Sequence, residues 1–312
     1  MNSKKFKEFR GMMPILATPL DNNGNVDYED VTSLCNYALE NGAVAIGHLA
    51  GASEFQFLSN AEKEKIIKTT VDSVNKKVPV FIGTASTNIA DTVYNSQQAE
   101  ALGADMLMVC SPIVGDENGD DLMKYYQAVS DAVNIPIIIQ DTGAASGQFT
   151  PQLLVKLFDE IENIGYVKAE GGYWQERIYQ LCKIAPENMQ VIGGAAGMCM
   201  PLMLRMGVKA YMTGTEAVDI HNAVVQAYLS GDEDKALHIY YTRLLPYLEL
   251  YTATSFHKSL KFMLKRRGVI KTDKLIFGSQ ERWRQSEHII EELDWMLGKI
   301  EAGDIEHYNE KH

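Results

Sequence analysis

The chain has 312 residues, 46% of them apolar, which is enough for one large domain or two modest ones and too apolar for a disordered chain. Acidic side chains outnumber basic ones 41 to 29, and the formal net charge of -12 argues against non-specific binding to nucleic acid or to an anionic membrane surface. An anionic substrate stays open, because a site can be locally positive inside an acidic protein. Four cysteines (Cys35, Cys110, Cys182 and Cys199) contain no C-x-x-C pair, so neither a zinc site nor a thioredoxin-like motif is suggested, and they read as reduced core thiols. Residues 1–10 are charged without an apolar signal region, and no apolar run approaches a membrane span. The expectation is a soluble cytoplasmic protein.

In chain order, residues 12–17 form a short apolar run ending at Thr18-Pro19, and residues 21–24 are a turn cluster. Asp27 caps a helix to about Asn41, with Val31, Leu34, Cys35 and Ala38 on one face. Residues 43–49 are strand-like, 51–59 a loop, and Asn60 caps a helix to about Val74. Residues 78–83 are the third strand and 89–102 a helix stopped by Gly103. Residues 106–110 are the fourth strand, stopped by Ser111-Pro112, and 122–133 a helix. Residues 136–140 precede the glycine-bearing loop 141–147, and Thr150 caps a helix to about Ile161. Residues 164–168 are the sixth strand, with a helix over 173–185. Residues 189–193 are the seventh, with a short helix ending near Met206. Residues 210–213 are the eighth, with a helix over about 216–230.

Eight apolar strands, each followed by a helix at a spacing of roughly 20–34 residues, predict an α/β chain folded as a (β/α)8 TIM barrel. A doubly wound open sheet is the runner-up, but no G-x-G-x-x-G follows the first strand. Beyond Gly231, residues 233–250, 255–267 and 281–303 carry helical periodicity without strand alternation. The expected organisation is a barrel over 1–230 and a C-terminal helical appendage over 231–312 packed on it.

Active sites of such barrels lie at the C-terminal ends of the strands. The polar residues at or just after those ends are Thr18, Ser53, Glu54, Thr84, Ser111, Gln140, Asp141, Lys168, Glu170, Thr213 and Thr215. Lys168 is the one amine among them. It ends an apolar run, and alternation puts Tyr166, Lys168 and Glu170 on one side of the strand. Desolvation disfavours an ammonium and leaves more free amine to attack a carbonyl. Taken alone, Lys168 reads first as a strand-end charge pointing into water, because lysine is mostly exposed. His48 reads as a satisfied core histidine. No histidine–carboxylate cluster has metal-ligand spacing, so no metal or other cofactor is expected. Ser53, Ser111 and Ser146 lack the G-x-S-x-G turn of a hydrolase nucleophile.

Several motifs resemble the dihydrodipicolinate synthase and N-acetylneuraminate lyase family. They are Ala17-Thr18-Pro19-Leu20 with Gly24 and Asp27, Gly83-Thr84-Ala85-Ser86, Val167-Lys168, and Gly194 with Pro201 and Gly207. The resemblance covers roughly residues 9–230. It implies a Schiff base between Lys168 and the keto carbon of pyruvate or another 2-oxo acid, and a homo-oligomer, tetramer or dimer.

Three departures qualify it. The family's Gly-Thr-Thr-Gly-Glu loop is Ala50-Gly51-Ala52-Ser53-Glu54 here, with Ser53 and backbone amides left to hold a carboxylate. The strand-five tyrosine is Gln140, which cannot shuttle a proton as a phenol can. The Pro-Tyr-Tyr after strand four is Pro112-Ile113-Val114. These departures, with Lys168-Ala169-Glu170 and the tail around 258–275, resemble the 2-keto-3-deoxyarabonate dehydratase branch. The expected site therefore has Lys168 and Glu170 as catalytic residues, Glu170 being the acid/base. Ser53, Ala52, Thr84, Gln140, Gly194 and Thr213 line the substrate. The expected function is a Schiff-base lyase on a 2-keto-3-deoxy sugar acid, dehydratase or aldolase. The alternatives are a pyruvate-condensing dihydrodipicolinate synthase-type enzyme and a non-catalytic 2-oxo acid-binding barrel.

Overall fold

A computed structural model describes residues 6–110, 119–142, 149–170, 174–253, 255–276 and 287–301. Eight parallel strands form one sheet: β1 (Gly11–Met12), β2 (Ile46–His48), β3 (Val80–Gly83), β4 (Met106–Val109), β5 (Ile137–Asp141), β6 (Ile164–Ala169), β7 (Gln190–Gly193) and β8 (Ala210–Tyr211). Their order is β1-β8-β7-β6-β5-β4-β3-β2. The segment after β1 closes the ring, since Ile15 bridges both Gly214 and Gly47, and the Gly47 amide donates to the Pro14 carbonyl at 2.8 Å. The sheet is a closed barrel, as the strand count requires. Its first strand is shorter than the expected 12–17. Pro14 has no N–H to give on the β2 side, so the regular ladder is short, while Met13 and Ile15 still donate to the Tyr211 and Thr213 carbonyls at 2.8 Å.

Each strand is followed by a helix: α1 (Tyr28–Glu40), α2 (Asn60–Val74), α3 (Ile89–Ala101), α4 (Asp120–Asp131), α5 (Pro151–Glu160), α6 (Trp174–Ile184), α7 (Met200–Arg205) and α8 (Val218–Leu229). The caps follow local chemistry. Asp27 accepts from the Glu29 and Asp30 amides, and Thr150 accepts from Leu153 N ahead of Pro151. One cap is corrected: Ser59, not Asn60, caps α2. Its hydroxyl faces the Glu62 amide while the Glu62 carboxylate returns to Ser59 N, which satisfies two end donors at once. The expected loop 51–59 contains two 3-10 turns, Gly51–Ser53 and Phe55–Phe57.

Beyond the barrel come α9 (Glu233–Ile239), α10 (Leu245–Ala253), α11 (Phe256–Arg266) and α12 (Glu287–Glu301). The helix expected as continuous over 233–250 is widened by a π-turn over Tyr240–Leu244. Pro246 lacks the N–H that a normal turn would send back four residues, and the wider turn absorbs the mismatch. Among the described residues, no helix is long and apolar enough to cross a membrane.

The C-terminal segment is stitched to the barrel's upper rim. Lys261 Nζ lies 2.5 Å from Glu54 Oε2, and both side chains are fully buried. Lys261 also donates to the Lys274 carbonyl at 2.9 Å, and Glu54 Oε1 accepts from Ile276 N at 3.0 Å. Burial draws Lys261 below the ordinary lysine range, and the Glu54 carboxylate opposes that pull. Further along, the Lys271 amide donates to Asp30 and the Thr272 hydroxyl to the Leu20 carbonyl. A buried pair broken on one side leaves an uncompensated charge. Lys261→Met is therefore expected to lose about 3–5 kcal/mol of stability in urea unfolding, and Lys261→Met with Glu54→Gln to recover part of that loss.

Candidate active site

Strands β5 and β6 place three polar side chains together. Gln140 pairs in register with Lys168, and Glu170 follows one pleat above it. Lys168 Nζ lies 2.8 Å from Glu170 Oε2, and the lysine is only 4% exposed. Lys168 is thus not a solvated strand-end charge but a buried, paired one. Gln140 Nε2 donates to the same Glu170 oxygen at 3.4 Å, while Glu170 Oε1 accepts from the Ala195 amide at 2.6 Å.

The β7 loop makes this possible. A Cβ on Gly194 would lie 2.3 Å from Glu170 Oε1, so only a glycine leaves room for the carboxylate. Ala195 and Ala196 then take left-handed backbone angles, φ 48 and 55. Such angles cost an L-residue roughly 1–2 kcal/mol each, and here they aim an amide at Glu170. The buried His221 ring sits 2.8 Å from the Ala196 carbonyl and anchors the turn.

Above this cluster is a cavity of about 250 Å³. Lys168, Glu170 and Gln140 form one side of it, and Ala196, Thr213 and Gly214 another. The β2 loop contributes Gly51 and Ala52. A second cavity of about 200 Å³, reaching toward Cys110 and Thr142, shares Gly51 and Gln140 with the first. Among the described residues, no group of three histidine, cysteine or acidic side chains is arranged to hold a metal ion.

The structure brings together Lys168, Glu170, Gln140, Ala52 and Thr213 of the expected set, with Gly194 directly behind Glu170. Ser53 and Thr84 stand apart. The Ser53 hydroxyl donates to the Leu16 carbonyl at 2.7 Å, and the Thr84 hydroxyl pairs with Ser96 at 2.9 Å. Glu54 is taken by Lys261, and Asp141 is paired with Arg177 at 2.5 Å. Tyr166 lies at the opposite mouth of the barrel. It packs on Phe6 and Phe9, its hydroxyl donates to the Lys7 carbonyl, and burial pushes its phenol up to about 12. His48 is buried against Thr70, and burial pushes its pKa down to about 3, so it is neutral. Ser111, Pro112, Ile113, Val114 and Ser146 lie outside the described residues, as do Gly171 and Gly172.

Sequence reasoning missed Phe256 and His257, which line the cavity from the first turn of α11. His257 Nε2 donates to the Gly51 carbonyl at 2.6 Å. No local signal marks them, because only the folding of the tail over the barrel brings them there. It also missed Glu216, read only as the start of a helix. Glu216 is fully buried after β8, with Tyr251 donating its hydroxyl to Oε1, and burial raises its carboxyl to about 7.

This buried acid has a consequence for stability. Below about pH 4.5, the ordinary value, the group is protonated in the folded and unfolded chain alike. Between there and about 7 only the folded chain keeps the proton, so stability falls as pH rises. Glu216→Gln is expected to gain stability over the parent by about 2 kcal/mol more at pH 8 than at pH 5 in urea unfolding.

Comparison with known proteins bears on the family and the fold. The family model described as the dihydrodipicolinate synthetase family matches residues 8–282. A 4-hydroxy-tetrahydrodipicolinate synthase of Bacillus subtilis (strain 168) is 26% identical over 268 residues, 84% of this chain and 90% of that protein. The enzyme of the same name from Geobacter metallireducens is 28% identical over 235 residues, 74% of this chain and 80% of that protein. Among solved structures, the 4-hydroxy-tetrahydrodipicolinate synthase of Methylacidiphilum fumariolicum SolV superposes with a TM-score of 0.86 at 21% identity, covering 96% of this chain and 99% of that one. YagE, an E. coli K12 prophage protein of the dihydrodipicolinic acid synthase family solved in complex with pyruvate, gives 0.84 at 23% identity, covering 94% and 99%. With a barrel of matching fold and a family match spanning most of its length, the chain belongs to the dihydrodipicolinate synthetase family.

Proposed function

We propose that the protein is an imine-forming enzyme acting on pyruvate or a 2-oxo acid derived from it, with Lys168 as the nucleophile. The observation that carries this reading is the buried Lys168–Glu170 pair at the strand-end face of the barrel, opening on a cavity. A lysine kept out of water beside a proton acceptor is what imine chemistry needs. Glu170 takes the ammonium proton, and the free amine adds to the C2 carbonyl. The carbinolamine hydroxyl then leaves as water with the proton that Glu170 returns, and the C=N bond of the iminium forms. The Gly51 and Ala52 backbone at the rim offers amides for the substrate carboxylate in place of the hydroxyls of the family's usual loop.

Two reactions can follow from the imine. The curated relatives bear the name of a synthase, and they weigh toward condensation of pyruvate with an aldehyde more than toward the sugar-acid lyase expected from the residues. The second reading, elimination from or cleavage of a 2-keto-3-deoxy sugar acid, is favoured by Gln140 and Glu170. Gln140 has no proton to shuttle, so Glu170 is the nearest group to remove a C3 proton from the iminium. The resulting enamine expels the C4 hydroxyl as water, and hydrolysis of the imine frees the product. In the cleavage variant the C4 hydroxyl loses its proton, the C3–C4 bond breaks, and an aldehyde departs.

Incubation with pyruvate and borohydride, followed by peptide mass mapping, is expected to place the reduced adduct on Lys168 and to give none with Lys168→Ala. No adduct on Lys168 overturns the imine reading. Glu170→Gln is expected to keep the adduct while losing on the order of 10²-fold or more in turnover. Full turnover in that variant removes Glu170 from its acid/base role. Assays of pyruvate condensation with an aldehyde and of consumption of a 2-keto-3-deoxy acid then choose between the two reactions.

A further inference from the structure

The cavity above Lys168 continues into the second one, of about 200 Å³, and the two share Gly51 and Gln140. Gln140 stands in register with Lys168, so the passage between them begins beside the reacting amine. Leu49 and Phe55 wall the second cavity from the end of β2 and its loop, Ala85 from the loop after β3, and Met108 and Cys110 from the end of β4. The backbone draws these walls together. Leu49 takes a left-handed φ of 58, and a Cβ on Gly83 would lie 2.1 Å from its carbonyl oxygen, so only a glycine lets the two segments meet.

The polar side chains around this space serve other partners. The Thr84 hydroxyl pairs with Ser96, the Ser53 hydroxyl donates to the Leu16 carbonyl, and Gln140 gives its amide to Glu170. Glu54 and Asp141 face Lys261 and Arg177. The Thr142 hydroxyl is engaged with the Cys110 thiol, and burial raises that thiol above the ordinary cysteine range, so it stays protonated. Among the described residues lining the second cavity, none carries a charge. A hydroxyl moved into it exchanges water for Leu49, Phe55, Ala85 and Met108, whose side chains return no hydrogen bond. An alkyl or aryl group gains there instead, about fourfold in affinity for each methylene buried. The size suits such a group, since an apolar cavity of about 150 Å³ takes up benzene.

We infer that the second cavity is the subsite for the substrate chain beyond C4 and that this chain is apolar, so that the protein joins pyruvate to an alkyl or aryl aldehyde, or splits the resulting 4-hydroxy-2-oxo acid, in preference to a polyhydroxylated sugar acid. This inference rests on the imine reading of Lys168 above and names the substrate class for that site. In the joining direction Glu170 removes a C3 proton from the pyruvate iminium. The enamine carbon C3 attacks the aldehyde carbon, the C3–C4 bond forms, and the aldehyde oxygen takes the proton that Glu170 holds. Water then hydrolyses the iminium, releasing the 4-hydroxy-2-oxo acid and freeing Lys168. Cleavage runs the same steps in reverse.

The test measures borohydride trapping on Lys168 by pyruvate, by 2-oxohexanoate and by a six-carbon 2-keto-3-deoxyaldonate. The two six-carbon acids have the same chain length and differ in their hydroxyls. In the parent protein the half-saturating concentration of 2-oxohexanoate is expected to lie about tenfold or more below that of pyruvate, and that of the deoxyaldonate no lower than pyruvate's. Two variants then place the chain. Ala85→Leu fills the second cavity and Phe55→Gln makes its wall polar. In each, the ratio of the 2-oxohexanoate value to the pyruvate value is expected to rise toward one. The parent's ordering of the three acids tests the inference even where a variant does not fold. Tighter trapping of the deoxyaldonate than of 2-oxohexanoate, or 2-oxohexanoate no tighter than pyruvate, overturns it. So does a ratio unchanged in both folded variants, which would put the chain elsewhere. Absence of any adduct on Lys168 with all three acids sinks the imine reading itself, a result distinct from the others.

Discussion

The position of one carboxylate organises the site. Glu170 is held by a backbone amide from the β7 loop, by Lys168 and by Gln140, and it fits only because residue 194 has no side chain. Three strands must therefore be in register before the lysine has its partner. The two left-handed alanines after Gly194 show where the fold accepts strain to put an amide donor in place. With Glu170 so fixed, the lysine is paired at the bottom of a cavity and not extended into water.

The second organising constraint is the buried Glu54–Lys261 pair. It joins the loop after β2 to α11, and α11 in turn places Phe256 and His257 over the cavity. A buried ion pair is weak evidence for net stability, because desolvation consumes most of the attraction. Its value here is positional: neither partner can leave without stranding the other's charge. The tail thus lines the cavity above Lys168 and is not only a packed appendage. Glu216, buried near this junction and bonded by Tyr251, shows the same chain accepting an energetic cost where barrel and tail meet.

Much of the barrel was legible in the sequence because its signals are local. Apolar strand runs, Asp27 and Thr150 as caps, and the spacing of βα units each depend on a few neighbouring residues. Lys168 and Glu170 were legible through strand alternation. The β1 boundary was misread because Pro14 interrupts a run that is apolar throughout, and the α2 cap because Ser59 and Asn60 are both good cap residues. Ser53 and Thr84 looked like substrate ligands since a hydroxyl at a strand end has no visible partner in sequence. Their partners, the Leu16 carbonyl and Ser96, are supplied by other elements. His257 was invisible for the same reason in reverse: more than two hundred residues separate it from the Gly51 carbonyl it touches.

The family assignment and the residues at the site pull on the reaction from two sides. The named relatives are synthases, while Gln140 in register with Lys168 and the Lys168–Glu170 pair underlie the sugar-acid reading proposed above. Both proposed reactions start from the same covalent step. A crystal structure of the protein soaked with pyruvate tests that step most directly. The account expects continuous density from Lys168 Nζ to the keto carbon, with the Glu170 carboxylate within hydrogen-bond distance of the new nitrogen. Pyruvate bound away from a free Lys168, or an imine with Glu170 turned out of the cavity, would contradict it.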